Sequence, residues 1–295
     1  MSKVLFIVNP ISGDIDKIDL IDDLKDFCRQ YDLTAEIFKT TGEQDEERLK
    51  NAINTLKPDI ACAVGGDGTV SLVAKAIIST DVALAIIPLG SGNGLSKDLG
   101  ISQDFGEALH LLVDHKKVAI DTLDVNGILS IHLCDMGFNA LVVKRFCTGD
   151  TRGPGAYAWI AMQEFMGYEP KKYTIMTEGK TIFDGEAFMI TVTNANAFGS
   201  NAAINPTGII DDGVFEICVL EPFPKTSSVG ILYQLYTDSI DNSVYTHRFS
   251  CRSATIMNHS EEVSQIDGEP EELGREIVFK IQHKSLHVIL PRQEE

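Results

Sequence analysis

Three short runs of uninterrupted apolar residues, Val4–Val8, Ile60–Val64 and Ala83–Ile87, each lead into a turn rich in glycine with asparagine, serine or aspartate. A strand with one face in water alternates apolar and polar side chains. A strand that is apolar throughout is buried on both faces, as in a parallel sheet covered by helices. The intervening segments agree. Ile18, Ile21, Leu24, Phe27 and Cys28 recur at helical spacing, and Leu49, Ala52, Ile53 and Leu56 mark a second helix that Pro58 ends. Val70, Val73, Ala74 and Ile77 mark a third over Thr69–Ser79, and Ala35–Lys39 adds a strand. The alternation predicts an α/β domain with helices on both faces of its sheet.

The texture changes near Ile120-Asp121. Later segments are short and strand-like, with turn signals at Asp124–Gly127 and Glu178–Lys180 and further strands at Phe188–Thr193, Val214–Leu220 and Ile277–Ile281. This pattern predicts an antiparallel, sandwich-like second domain, interrupted by one helix at about Gly155–Gly167. A length of 295 residues suits two domains. We place them at 1–121 and 122–295, with the last strand free to return to the first.

The net charge of −18 disfavours nucleic acid as a partner, because neutralising phosphates needs a basic face. Any anionic or lipid substrate must then be met by a local device rather than a global field. No apolar run approaches the ~20 residues of a membrane helix, and Val4–Val8 is too short for a secretory signal. Cys28, Cys62, Cys134, Cys147, Cys218 and Cys251 have no metal-site spacing and read as reduced, structural thiols. The expected location is the cytoplasm, with room for peripheral contact at the inner face of the membrane. A homodimer is compatible with the sequence.

In a parallel sheet, the loops after the three apolar strands emerge at one edge, where ligands bind. They are Asn9-Pro10-Ile11-Ser12-Gly13, Gly65-Gly66-Asp67-Gly68-Thr69 and Pro88-Leu89-Gly90-Ser91-Gly92-Asn93-Gly94. Glycines opening a helix let backbone N–H groups approach an anion. A carboxylate among them would repel phosphate unless Mg²⁺ bridges the two or a proton is shared. No Walker A lysine follows, and the dinucleotide fingerprint spacing is missing. Two further motifs read as turns on their face: Asp211-Asp212-Gly213, and Asp267-Gly268-Glu269-Pro270 inside the acidic stretch Glu261–Glu272. The seven histidines show no ligand spacing.

Taken together, Asn-Pro-x-Ser-Gly, Gly-Gly-Asp-Gly-Thr and Pro-x-Gly-Ser-Gly-Asn, in this order and spacing, resemble the diacylglycerol kinase catalytic-domain family, which includes bacterial lipid kinases, sphingosine kinases and ceramide kinases. Gly137-Phe138-Asn139-Ala140, Arg152-Gly153, Asn205-Pro206, Asp211–Gly213 and Asp267–Glu269 extend the likeness over nearly the whole chain. The resemblance implies a Rossmann-like, phosphofructokinase-like nucleotide domain followed by a β-sandwich, with the active site between them. It implies an ATP-dependent kinase that uses Mg²⁺ to phosphorylate the hydroxyl of a diacylglycerol-like or sphingoid-like lipid.

Carried over residue by residue, the nucleotide contacts fall on Asn9, Pro10, Ile11, Ser12, Gly13, Thr40, Gly65, Gly66, Asp67, Gly68, Thr69, Val70, Ser71, Leu72, Ser91, Gly92 and Asn93. Many bacterial relatives have Asn and Glu after the Gly-Thr pair, so Val70-Ser71-Leu72 is a departure that puts side-chain contacts there in doubt. A Mg²⁺ held by one aspartate and two carbonyls maps onto Asp212, Ile209 and Val214. The proton-accepting role maps onto Asp267-Gly268-Glu269, with Glu269 favoured, then Asp267, then Asp67. Two rivals stay open. An NAD kinase shares Gly-Gly-Asp-Gly-Thr, but its kind usually carries an Asn-Glu pair where this chain has Asn194-Ala195-Asn196. A non-catalytic lipid- or nucleotide-binding regulator could use the same fold. For membrane contact, the helix holding Trp159, Met162, Phe165 and Met166 lies among Lys144, Arg145, Arg152, Lys171 and Lys172. It reads either as a buried packing helix or as the border of a lipid entrance with basic flanks.

Overall fold

The computed structural model describes residues 2–10, 17–149, 153–198 and 202–292. Ile11, Ser12, Gly13 and Arg152 therefore lie outside the described residues. The chain divides into two compact units. The first holds residues 1–120 and 284–295, the second residues 121–283.

The first unit runs β1 (Lys3–Val8), α1 (Lys17–Gln30), β2 (Thr34–Lys39), α2 (Asp45–Leu56), β3 (Ile60–Gly65), α3 (Asp67–Ile77), β4 (Ala83–Pro88), α4 (Gly94–Asp98) and α5 (Phe105–His110). The strands lie in the order β2-β1-β3-β4, all parallel. Val4, Phe6 and Val8 pack with Ile60, Cys62 and Val64 and with Leu20 and Leu24 of α1. The alternate residues Leu5, Ile7, Ala61, Ala63, Leu84 and Ile86 are buried as well. Both faces are thus covered, which explains the uninterrupted apolar runs. The third helix starts and ends two residues earlier than the expected Thr69–Ser79. Gly66 takes the cap position, and Asp67 and Gly68 form a first turn that contributes nothing to the core pattern.

From the first unit, β5 (Lys116–Val125) leads into the second. There follow β6 (Ile128–Ser130), β7 (Leu133–Gly137), α6 (Phe138–Thr148), α7 (Pro154–Gly167), β8 (Lys171–Thr177), β9 (Lys180–Ala187), β10 (Met189–Thr193), β11 (Ala197–Phe198), β12 (Ala202–Ala203) and β13 (Phe215–Leu220). Then come α8 (Ser228–Tyr236), β14 (Thr246–Cys251), β15 (Ser253–Asn258), β16 (Ser264–Ile266), β17 (Glu269–Glu271) and β18 (Glu276–Leu290). One sheet has the order β14-β13-β10-β7-β16-β17. A second layer is built from β9, β8, β15, the first part of β18, β5 and β6. Side chains of both layers share one core, with Met136, Ile190, Val192 and Phe215 from the first meeting Leu123, Tyr173, Ile256 and Phe279 from the second. This is the β-sandwich. The end of β18 returns to the first unit and pairs in parallel with β4.

Three hairpins of the sandwich use the same turn. Asn126-Gly127, Glu178-Gly179 and Asp267-Gly268 each place two residues at positive φ between paired strands. Two successive left-handed residues define the type I′ turn, which asks for Gly and tolerates Asn or Asp. No helix among the described residues is long and apolar enough to cross a membrane. All six cysteines are free thiols. Five are buried, but Cys147 is exposed on α6 and so does not fit the expectation of a structural thiol.

Candidate functional site

Two glycine loops of the first unit touch. A Cβ on Gly66 would lie 3.1 Å from the Gly90 Cα, and a Cβ on Gly90 would lie 2.5 Å from the Gly66 Cα. The turn after β4 closes on itself through Asn93. Its Oδ1 accepts from Gly90 N at 3.0 Å, and its Nδ2 donates to Gly90 O and to Gln103 Oε1. Asn93 is at φ 54°, a left-handed conformation that asparagine tolerates.

Helix α3 opens directly beneath this contact. No side chain caps it. Thr69 N and Val70 N both donate to Gly66 O, so the amides of Asp67 and Gly68 come before the first intrahelical bond. The Asp67 carboxylate reaches the second loop, since a Cβ on Gly92 would meet Asp67 Oδ2 at 3.0 Å. Gly65 is buried inside β3, and Thr69 packs against it. Val70 is 3% exposed, so it can offer a ligand only its backbone. Ser71 and Leu72 are partly exposed, and Ser91 and Gly92 are exposed. Asn9 and Pro10 follow β1 at the same sheet edge. Thr40 is buried there after β2, its amide donating to Val8 O. The loop after Thr40 is held by Asp45, which accepts from Thr41 N, Gly42 N and Arg48. Burial raises the Asp45 pKa, but these donors outweigh it and the net shift is downward.

In the second unit the Asp267-Gly268 turn brings Glu269 to the surface as the first residue of β17. The Asp267 carboxylate is committed elsewhere. It accepts from Ile131 N, His132 N and Leu133 N and from Ser130 Oγ, all at 2.9–3.1 Å. Burial pushes its pKa up, against the lowering pull of these donors and of His132. Gly268 N donates to Gln265 Oε1 at 2.7 Å. Gln265 Nε2 donates in turn to Asp135 Oδ2 at 2.5 Å. Asp135 has no exposed surface. Its Oδ1 accepts from Thr191 Oγ1, and its Oδ2 also accepts from Asn139 Nδ2. Asn139 Oδ1 accepts from the hydroxyl of Tyr157 on α7 at 2.6 Å. The sequence reading did not single out Asp135, Gln265 or Tyr157. The one available signal was a lone carboxylate inside the apolar strand Leu133–Gly137.

The loop before β13 carries the three residues onto which the family resemblance maps a metal. Among the described residues no group of three or more His, Cys, Asp and Glu side chains is gathered as a metal site. A site of one carboxylate and two carbonyls does not require one. Asp212 Oδ1 accepts from Val214 N at 3.1 Å. The neighbouring Ile210 carbonyl is taken by Asp121 N and Asn194 Nδ2, and Asp121 Oδ2 accepts from Gly213 N. Asp121, which the sequence marked only as the point where the texture changes, and Asn194 thus set the shape of the loop. The hard oxygens of Asp212, Ile209 and Val214 are a donor set that fits Mg²⁺. Asn205, of the Asn205-Pro206 pair, is buried and bonded to Glu216 and Arg248, a structural position.

Residues 3–125 match the model of the diacylglycerol kinase catalytic domain, and residues 133–289 match the YegS C-terminal NAD kinase beta sandwich-like domain. A diacylglycerol kinase of Bacillus subtilis is 26% identical over 310 residues, spanning 100% of this chain and 98% of that protein. A protein of Shewanella frigidimarina named "Probable lipid kinase YegS-like" is 25% identical over 234 residues, covering 77% of this chain and 75% of its own. Among solved structures, a diacylglycerol kinase from Bacillus anthracis shares the fold with a TM-score of 0.73 at 21% identity, covering 98% of this chain and 97% of that one. An NAD kinase from Archaeoglobus fulgidus in complex with ATP gives 0.54 at 12% identity, over 99% and 94%.

The loop contact yields a test by contrast. Gly90→Ala drives a methyl into backbone, and overpacking of this kind costs about 1–3 kcal/mol. Gly92→Ala meets only the end of the Asp67 side chain, which can move. Gly90→Ala is expected to lower the melting temperature by several degrees and Gly92→Ala by about a degree or less. Equal melting temperatures would show that the two loops do not touch.

Proposed function

This chain belongs to the diacylglycerol kinase catalytic-domain family, and from that premise we propose that it transfers the terminal phosphate of ATP to a lipid hydroxyl. The acceptor would be diacylglycerol-like or sphingoid-like. The observation that carries the reading is the start of α3, where the amides of Asp67 and Gly68 come before the first intrahelical bond beside a sheet edge. First-turn amides at the positive end of a helix suit a triphosphate. The relative named diacylglycerol kinase, which spans the whole chain, supports the lipid acceptor. The NAD kinase neighbour solved with ATP supports ATP as donor.

Phosphoryl transfer needs little covalent help from a protein. It needs alignment, charge compensation and a group to take the hydroxyl proton. Glu269 suits the last task, since it is exposed and sits on a turn fixed from behind. Asp267 would first have to release four hydrogen bonds, which makes it an organiser of that turn. Asp67 is better suited to the nucleotide edge. Glu269→Gln keeps size and removes basicity, so turnover is expected to fall about 10²–10⁴-fold with the KM for ATP nearly unchanged. If Glu269→Gln keeps most of its rate while Asp267→Asn loses it, Asp267 is the base.

The same assay judges the rivals, with diacylglycerol, sphingosine, NAD and no acceptor compared side by side. For an NAD kinase, Asn194 would be the residue to read a nucleoside, but it is buried and its Nδ2 is spent on Asp121 O and Ile210 O. A non-catalytic regulator would turn over no ATP with any acceptor.

Mg²⁺ would be held by Asp212 with the carbonyls of Ile209 and Val214, and when bound it supplies positive charge to offset that of phosphate groups. A ligand that binds only the folded state raises stability by mass action. Asp212→Ala is therefore expected to abolish most of the melting shift that Mg²⁺ gives the wild type. Identical shifts in both proteins would remove Asp212 from the metal site.

Access to a lipid needs a surface. On α7, Trp159, Met162 and Met166 are 57%, 55% and 66% exposed. On α8, Val229, Leu232, Tyr233 and Tyr236 form a second exposed apolar stripe. The segment leading into α8 is tied to α7 where Lys225 Nζ donates to Met166 O at 2.5 Å. Exposure on this scale disfavours α7 as a buried packing helix. The basic flanks also need revision, because Arg145 pairs with Glu164, Lys171 with Glu262 and Lys172 with Asp184. We infer that contact with the bilayer is made by the apolar and aromatic stripes, residues of the type that settle at the membrane interface. Trp159, the only tryptophan, is expected to shift its emission to the blue on adding phosphatidylcholine vesicles, and Leu232→Glu with Tyr236→Glu to suppress the shift. Unchanged emission while lipid in those vesicles is phosphorylated would rule this surface out.

A further inference from the structure

We propose that Gln265, held in one orientation by the buried carboxylate of Asp135, is a positioning residue that sets the turn carrying Glu269. The inference rests on the reading of Glu269 as the proton acceptor. It adds two residues that are buried behind the turn.

The argument begins with a group that cannot change its role. A backbone N–H only donates. Gly268 N lies in the middle of the type I′ turn and donates to Gln265 Oε1 at 2.7 Å. The oxygen end of the Gln265 amide must therefore face the turn, and the NH₂ end must face the other way. Facing it there is Asp135 Oδ2, at 2.5 Å. That oxygen also receives Asn139 Nδ2, and an oxygen taking two N–H donors carries no proton of its own. A carboxylate oxygen is the group that guarantees this, because it accepts and never donates. With an O–H or N–H group in its place, the Gln265 amide would be drawn to reverse. Its NH₂ would then oppose the Gly268 N–H, two donors face to face in a site where Gln265 is 1% exposed. The turn would have to move.

The neighbouring contacts are more forgiving. Thr191 and Tyr157 end their hydrogen bonds in hydroxyl rotors, which can reverse at little cost. Only the Gln265 branch ends on a fixed donor, and only that branch leads to Glu269. Asp267 anchors one side of the turn through the amides of residues 131–133, while Gln265 anchors its centre. Burying a carboxylate is costly, and burial pushes the Asp135 pKa up against the pull of its three donors and of His132. Retaining one here gains a fixed direction for two amides.

The test needs two variants and two measurements. Gln265→Met keeps the length of the side chain and removes the acceptor. Its kcat is expected to fall about 10–100-fold, the scale of a small misplacement of a reacting group, with the KM for ATP unchanged. Hydrogen exchange in the peptide covering residues 264–271 should speed up at the same time. Gln265→Glu restores an acceptor for Gly268 but sets two carboxylates against each other. It should also be slow, and adding Asp135→Asn should recover both rate and protection, since the new amide can donate where the old carboxylate could only accept. A Gln265→Met enzyme with wild-type kcat overturns the proposal, as does unchanged exchange. Faster exchange with unchanged kcat overturns it too, because the contact would then be structural only. Failure of Asp135→Asn to recover Gln265→Glu removes Asp135 from the device. A wild type that phosphorylates no lipid would defeat the functional reading alone, and the exchange pattern would still decide whether Asp135 and Gln265 hold the turn.

Discussion

A single side chain, Asp267, organises the part of the sandwich that carries Glu269. Its carboxylate gathers three successive backbone amides and one hydroxyl from residues 130–133. Those donors belong to the connection between β6 and β7, so one carboxylate ties the start of β7 to the turn between β16 and β17. In the interior each unmade bond to such a donor carries a desolvation penalty. Register follows from this. Once residues 131–133 are fixed, Cys134 faces Ile266 and Asp135 faces Gln265, which brings the next carboxylate to the amide behind Gly268. Glu269 is then exposed on a turn whose two preceding residues are both held.

Much of this architecture was legible in the sequence, and for a physical reason. Double-sided burial in a parallel sheet leaves uninterrupted apolar runs, as in Ile60–Val64. Type I′ turns demand residues that tolerate positive φ, and Asn126-Gly127 and Glu178-Gly179 supply them. The helices α6 and α8 were harder to read. Helix α6 opens on Phe138 directly from a strand, with no capping side chain. Helix α8 is apolar on its exposed side as well as its buried one, so no amphipathic period marks it. Polar side chains that act through others were harder still. Asp135 is one carboxylate in an apolar strand, and nothing in its neighbours along the chain indicates that Gln265 and Asn139 converge on it. Charge was misread for a related reason. Lys171 and Lys172 look like a basic patch in one dimension, but Glu262 and Asp184 arrive from distant segments to pair with them.

The same distinction separates the glycines from the aspartate in Gly65-Gly66-Asp67-Gly68-Thr69. Gly65 and Gly66 are accounted for by packing alone, one against Thr69 and the other against Gly90. Their presence is therefore weak evidence for a phosphate, because the two loops would need them without any ligand. Asp67 is different. It opens a helix at the end where a negative side chain is favoured by the dipole, the cap position before it is a glycine, and the neighbouring loop has glycine at position 92, where a Cβ would lie 3.0 Å from its carboxylate. Packing gives no reason to leave that approach open. What favours the proposed nucleotide at this edge is the Asp67 carboxylate with the first-turn amides beside it, while the glycines bring the two loops together.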